Sequence, residues 1–147
     1  PPADVDIESH SFMPNPLVVL APASHPLAAK KRITLAALQD QRFVLRERGS
    51  GTRLACDAHF AKLGFTPLVR LELGSNEAIK QAVAGELGLT VLSTHALGEH
   101  LVDDSLTVLK VAGFPIHSHW FVVTRKGKRM SPTAAAFIAH LEKVASR

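Results

Sequence analysis

The sequence predicts an α/β fold in which a parallel sheet is crossed by helices. Three observations predict it. The 147 residues are 46% hydrophobic and 20% charged, a globular composition with enough apolar residues for a core. Between residues 43 and 92, short apolar runs alternate with amphipathic segments of about ten residues, the pattern of right-handed β-α-β crossovers. Two of the junctions from run to helix are rich in Gly, Ser, Thr and Asn, residues that turn the chain and cap helices.

Residues 17–21 (Leu-Val-Val-Leu-Ala) form a continuous apolar run between Pro16 and Pro22, which reads as a strand buried on both faces. Residues 34–38 suit a short helix with Thr34 as cap. Strands follow at 43–47, 69–73 and 89–92, with helices at 52–63 and 76–84 between them. In the first helix, Leu54, Ala58 and Ala61 lie on one stripe and Cys56, Phe60 and Leu63 on the other side, so cover on more than one face is expected. In the second, Ala78, Ile79, Ala82 and Val83 make the apolar face, Lys80 and Gln81 oppose it, and Gly85 is the natural stop. After a mixed stretch at 94–115, residues 120–124 read as an apolar strand and 125–129 as a basic turn. A last helix has Ser131 as N-cap, Pro132 in its first turn, and a stripe of Ala134, Phe137, Ile138, Leu141 and Val144.

The formal charge is +4, but the seventeen Lys and Arg are dispersed, and seven Phe, one Trp and no Tyr make a poor stacking platform for single-stranded nucleic acid. Cys56 is the sole cysteine, which excludes an internal disulfide and fits a reducing cytoplasm. No run approaches the roughly 18 apolar residues of a membrane span, and the first residues lack a signal-peptide layout. The start at Pro1-Pro2-Ala3-Asp4, with no initiator Met, suggests a fragment or a processed chain.

The most informative segment is Arg46-Glu47-Arg48-Gly49-Ser50-Gly51-Thr52-Arg53, running from a strand end into a helix start. Its glycines permit a sharp turn, Ser50 or Thr52 caps the helix, and free N–H groups at the positive end suit an anion. Gly74-Ser75-Asn76-Glu77 repeats that chemistry, and Leu92-Ser93-Thr94 ends a third strand. In a parallel sheet all three fall on one edge, where ligands of open α/β sheets bind. The plainer reading is that these are ordinary caps and turns. Known catalytic patterns fail on spacing: 49–54 lacks the third glycine of a dinucleotide fingerprint, no P-loop occurs, and Ser50 is not in Gly-x-Ser-x-Gly. His117 and His119 fit one strand face but lack a carboxylate or thiolate partner for a metal, and Cys56 reads as a core residue.

Together, Pro16-Leu17-Val18-Val19-Leu20-Ala21-Pro22 with His25-Pro26-Leu27-Ala28, the Arg46 to Arg53 segment, and Gly74-Ser75-Asn76-Glu77-Ala78-Ile79-Lys80 through Val83-Ala84-Gly85-Glu86-Leu87-Gly88-Leu89 resemble LysR-type transcriptional regulators. The Gly-Ser-Gly-Thr-Arg form and the ending from Ser131 to Leu141 look most like the CbbR type of carbon-fixation operons. The resemblance implies a type II periplasmic-binding-protein fold: one complete effector subdomain at 17–115, with 1–16 and 116–147 as remnants of another. It implies a non-enzymatic sensor without a cofactor that binds a small anionic metabolite, a sugar phosphate or nucleotide, and pairs as a homodimer or homotetramer. DNA would be bound only through an absent N-terminal winged helix-turn-helix, with RNA polymerase as partner of the full-length protein and no membrane contact. The effector-facing residues it implies are Ser50, Gly51, Thr52, Arg53, Ser75 and Asn76, with Ser93, Thr94 and His119 behind them. A lobe of a solute-binding protein of the same fold is the second reading, and an enzyme of that fold the third.

Overall fold

The computed structural model describes residues 6–97 and 105–145. The Pro1 to Asp4 start and part of the mixed stretch at 94–115 lie outside the described residues. In chain order the elements are β1 (Ile7–Pro14), β2 (Leu17–Pro22), a 3₁₀ turn (Leu35–Leu38), β3 (Arg42–Arg46), α1 (Gly51–Lys62) and β4 (Leu68–Leu73). There follow α2 (Asn76–Ala84), β5 (Thr90–Ser93), a second 3₁₀ turn (Thr94–Ala96), β6 (Leu106–Leu109), β7 (His119–Arg125) and α3 (Pro132–Ala145). They fall into two compact units, one within 16–118 and one made of the described residues of 1–15 and 119–147. No helix among the described residues is long and apolar enough to cross a membrane.

In the larger unit β2 is buried along its whole length, as its unbroken apolar run predicts. Its side chains alternate between two cores. Leu17, Val19 and Ala21 join Phe43, Leu45, Cys56 and Phe60 on the α1 side, while Val18 and Leu20 join Val44, Ile79 and Val83 on the α2 side. Phe60 meets Phe43 edge-on with ring centroids 5.9 Å apart. Burying a side chain of that size stabilises by about 1.5–3 kcal/mol.

The expectation of a parallel sheet, made for the alternating segments between 43 and 92, holds for β3, β4 and β5. β3 and β4 pair in parallel, and Phe43 bridges Leu89 in parallel just before β5. β2, however, is antiparallel to both β5 and β6. Helical crossovers join β3 to β4 and β4 to β5 and force those strands to run one way, whereas β2 reaches β3 through an irregular segment containing only a 3₁₀ turn. A hydrophobic run does not encode direction.

Three smaller expectations are corrected. α1 is covered on one face only: Arg53, Cys56 and Phe60 are buried, and Leu54 is 61% exposed. Lys80 is buried beside Ile79 and Val83, not on the solvent face, because its ammonium donates to the Ala96 carbonyl at 3.0 Å. Thr34 precedes the first 3₁₀ turn but makes no side-chain cap.

In the smaller unit β1 and β7 form an antiparallel ribbon with an irregularity between Ser11 and Met13, and Phe12 stacks on Trp120 at 6.5 Å. Ser131 caps α3 as expected, its hydroxyl accepting from the Ala134 N–H at 3.2 Å. The expected apolar stripe is split: Ala134, Ile138 and Leu141 are half-buried, Phe137 and Val144 exposed. His117 precedes β7 and falls in the larger unit, so it shares no strand face with His119.

Candidate functional site

The carboxyl ends of β3, β4 and β5 point the same way, and at or just beyond each a serine caps the helical segment that follows. At the first, Ser50 holds an extended backbone (φ −67°, ψ 145°) and its hydroxyl accepts from the Arg53 N–H at 3.0 Å. The Leu54 N–H goes to the Ser50 carbonyl at 3.0 Å. That leaves the N–H groups of Gly51 and Thr52 without an acceptor among the described residues, and the space around the Gly51 α-carbon is open. The Thr52 hydroxyl is likewise unengaged among the described residues, so of the two proposed caps Ser50 does the capping.

The second junction repeats the first. Ser75 accepts from the Ala78 N–H at 3.4 Å, the Ile79 N–H goes to the Ser75 carbonyl, and the N–H groups of Asn76 and Glu77 stay unused among the described residues. At the third, the buried Ser93 accepts from the His95 N–H at 3.1 Å, and the Thr94 N–H donates to the Pro16 carbonyl at 3.0 Å.

Two side chains outside the expected effector-facing set tie these three ends together. Arg46, at the tip of β3, forks onto Glu47 at 2.7 and 2.9 Å and donates a third hydrogen bond to the Asn76 Oδ1 at 3.1 Å, linking the first junction to the second. The hydrogen bonds with Glu47 raise the Arg46 pKa and lower that of Glu47 below the usual carboxylate value. Lys80, one turn into α2, pairs with Glu77 at 2.6 Å and reaches the carbonyl of Ala96, linking the second junction to the third. The only sequence signals for them were the position of Arg46 at the strand end and the Glu77–Lys80 spacing of three.

Arg53 is placed differently from expectation. Its side chain is 7% exposed; Nε lies 2.9 Å from Asp57, while Nη1 is 2.8 Å from the Arg46 carbonyl and 3.0 Å from Glu72. Burial opposes its charge, but the hydrogen bonds with Asp57 and Glu72 outweigh that and raise its pKa. It pins α1 to β3 and β4 from below. Ser50, Gly51, Thr52, Ser75 and Asn76 do share one edge, and Ser93 and Thr94 end the strand beside them. His119 belongs to the smaller unit, where it opens β7 opposite Pro14 and is exposed. The positive character of the edge comes from helix starts and unused N–H groups, since Arg46 and Arg53 are each matched by carboxylates. Among the described residues no cluster of His, Cys, Asp or Glu suits a metal ion.

The family profile described as the LysR substrate binding domain matches residues 1–146. A RuBisCO operon transcriptional regulator of Allochromatium vinosum is 47% identical over 137 residues, covering 93% of this chain and 45% of the regulator. Another, from Acidithiobacillus ferrooxidans, is 45% identical over 141 residues, covering 96% and 46%. The chain thus spans about half the length of the curated relatives it matches. Among solved structures, the regulatory domain of Synechocystis PCC6803 CcmR in complex with 2-PG is 45% identical with a TM-score of 0.92, covering all of this chain and 71% of that one.

Proposed function

Since the chain belongs to the LysR substrate binding domain family, we propose that it is the effector-sensing part of a longer transcriptional regulator of the CbbR type, a binding domain and not an enzyme. The effector is a small anionic metabolite carrying a phosphate or carboxylate, held at the edge formed by Ser50, Gly51, Thr52, Ser75 and Asn76, with Ser93 and Thr94 alongside. The observation that carries this reading is the pair of capped helix starts: each spends its serine on the third N–H and leaves two further N–H groups without an acceptor among the described residues, and Arg46 and Asn76 join the two starts. The 2-PG in the similar CcmR domain is of the same chemical class.

In this reading residues 17–115 are the second effector subdomain, while 1–16 and 116–147, His119 among them, belong to the first. The separation of the chain into units near those bounds supports it. DNA is contacted through a winged helix-turn-helix elsewhere in the longer protein, which acts in the cytoplasm with RNA polymerase. The solute-binding lobe remains the second reading. The similarity to two RuBisCO operon regulators favours the first.

Calorimetric titration of 2-phosphoglycolate into the regulator carrying both subdomains tests the site. Thr52→Val removes a hydroxyl beside free N–H groups without touching the Ser50 cap, so melting stays at the parental temperature while affinity falls. A hydrogen bond to a charged group contributes about 1.5–3 kcal/mol, roughly a ten- to hundred-fold change. Parental affinity in Thr52→Val would place the effector elsewhere.

A further inference from the structure

We propose a second ligand site on the larger unit, at the opposite end of its parallel strands, that takes a small zwitterion with an apolar body, an amino-acid-like molecule carrying one ammonium and one carboxylate. A cavity of about 550 Å³ opens there, where β2 ends and β3 begins. Ligand pockets run from about 300 to 1,000 Å³. β3 separates it from the effector edge by four residue steps of about 3.3 Å, roughly 13 Å in all.

Its walls carry charges of both signs. Arg42 and Arg70 supply two guanidinium groups, and Asp40 and Glu86 two carboxylates. Among the described residues, the side chains of Arg42 and Asp40 make no hydrogen bond or ion pair. Arg70 donates to the Leu87 carbonyl at 3.2 Å and Glu86 accepts from the Ser24 hydroxyl at 2.9 Å, so no pair of these four charges neutralises itself. A phosphate or other polyanion meets the two carboxylates unfavourably, and a plain cation meets the two arginines. A zwitterion satisfies both sets at once. Pro22, Pro26, Leu87 and Leu89 provide apolar wall for its body.

The walls are also fixed before any ligand arrives. The Leu27 N–H donates to Nδ1 of His25, which places the ring proton on Nε2, and Nε2 in turn faces the Gln41 Oε1 at 3.1 Å. Glu86 holds a left-handed backbone (φ 61°), a conformation uncommon outside glycine and concentrated at functional positions. A Cβ at Gly88 would stand 2.5 Å from the Arg42 carbonyl oxygen, so only glycine lets the two backbones approach this closely at the cavity floor.

The proposal stands apart from the effector reading and is tested on the chain itself with L-leucine as probe, by amide chemical shifts of the 15N-labelled protein. 4-Methylpentanoate, which lacks the ammonium, and 3-methylbutylamine, which lacks the carboxylate, are the single-charge controls. Leucine is expected to shift the amides of Ser24, Gln41 and Gly88, with each control at least about ten-fold weaker. Arg42→Gln and Asp40→Asn, both exposed positions without structural partners, should each abolish the shifts at an unchanged melting temperature. No shift at about 10 mM leucine, equal binding by either control, or undiminished binding by both variants would overturn it.

Discussion

Replacing Arg53 by alanine separates a ligand contact from a structural clamp, because the two roles predict opposite readouts. Removing one partner of a buried ion pair costs about 3–5 kcal/mol when the remaining charge is stranded away from water. Here the partners are Asp57, 49% exposed, and Glu72, 36% exposed, so solvent takes up the orphaned carboxylates and each lost pair costs only about 0.2–1 kcal/mol. The hydrogen bond to the Arg46 carbonyl adds about 1 kcal/mol, and the buried methylenes beyond Cβ about 0.8 kcal/mol each. Together these come to about 3–5 kcal/mol, which corresponds to a fall in melting temperature of about 12 °C or more for a unit of this size. Circular-dichroism melts of Arg53→Ala and Arg53→Lys, with Lys intermediate because it keeps stem and charge but not the fork, measure this. Calorimetry with 2-phosphoglycolate well below the melt should find affinity within about three-fold of the parent. An Arg53→Ala protein that melts within about 2 °C of the parent yet loses ten-fold or more in affinity would make Arg53 an effector contact after all.

Three other outcomes are expected. Glu47 has its pKa lowered by Arg46, so its contribution to stability is present above the unfolded carboxylate pKa and is lost as pH falls through the folded value; Glu47→Gln should flatten the acid limb of a stability profile, and an unchanged limb would exclude that linkage. Burial, aided by Asp57, raises the Cys56 thiol to about 12, so a thiol-specific disulfide reagent should leave the native chain untouched at neutral pH and titrate one thiol in denaturant; prompt native labelling would contradict the packing of α1. Leu68 and Leu71 are 53% and 37% exposed on β4, which pairs only with β3 among the described residues. Concentration-dependent association in sedimentation, weakened by Leu71→Lys, is therefore expected, and a strictly monomeric parent would count against it.

Most elements of the larger unit were legible because its strands and helices differ in hydrophobic period, and because Ser50 and Ser75 mark where one gives way to the other. The direction of β2 was not. The apolar run of β2 is compatible with either sense, and only the pairing of Leu17 with Ser93 and of Val19 with Leu109 shows that it opposes its neighbours. β1 is not legible for a different reason: Ile7–Pro14 is largely exposed, with four polar residues together (Glu8–Ser11) and no alternation, and it becomes a strand through its partner β7.

The candidate site divides along the same line between backbone and side chain. Caps and turns are local, so Ser50, Gly51, Thr52, Ser75 and Asn76 could be nominated from residue type and spacing alone. Charges reach several residues in any direction, and their destinations depend on what the fold brings near. Arg46 and Arg53 sit seven apart and look interchangeable in sequence, yet one rises to bridge Glu47 and Asn76 at the edge while the other turns beneath it to Asp57 and Glu72. A guanidinium near a helix start is thus no sign of an anion site until its own partners are counted. At this edge the counting leaves the Thr52 hydroxyl and the backbone N–H groups beside it as unspent donors, which is why Thr52, and not Arg53, is the position where a conservative change should separate binding from folding.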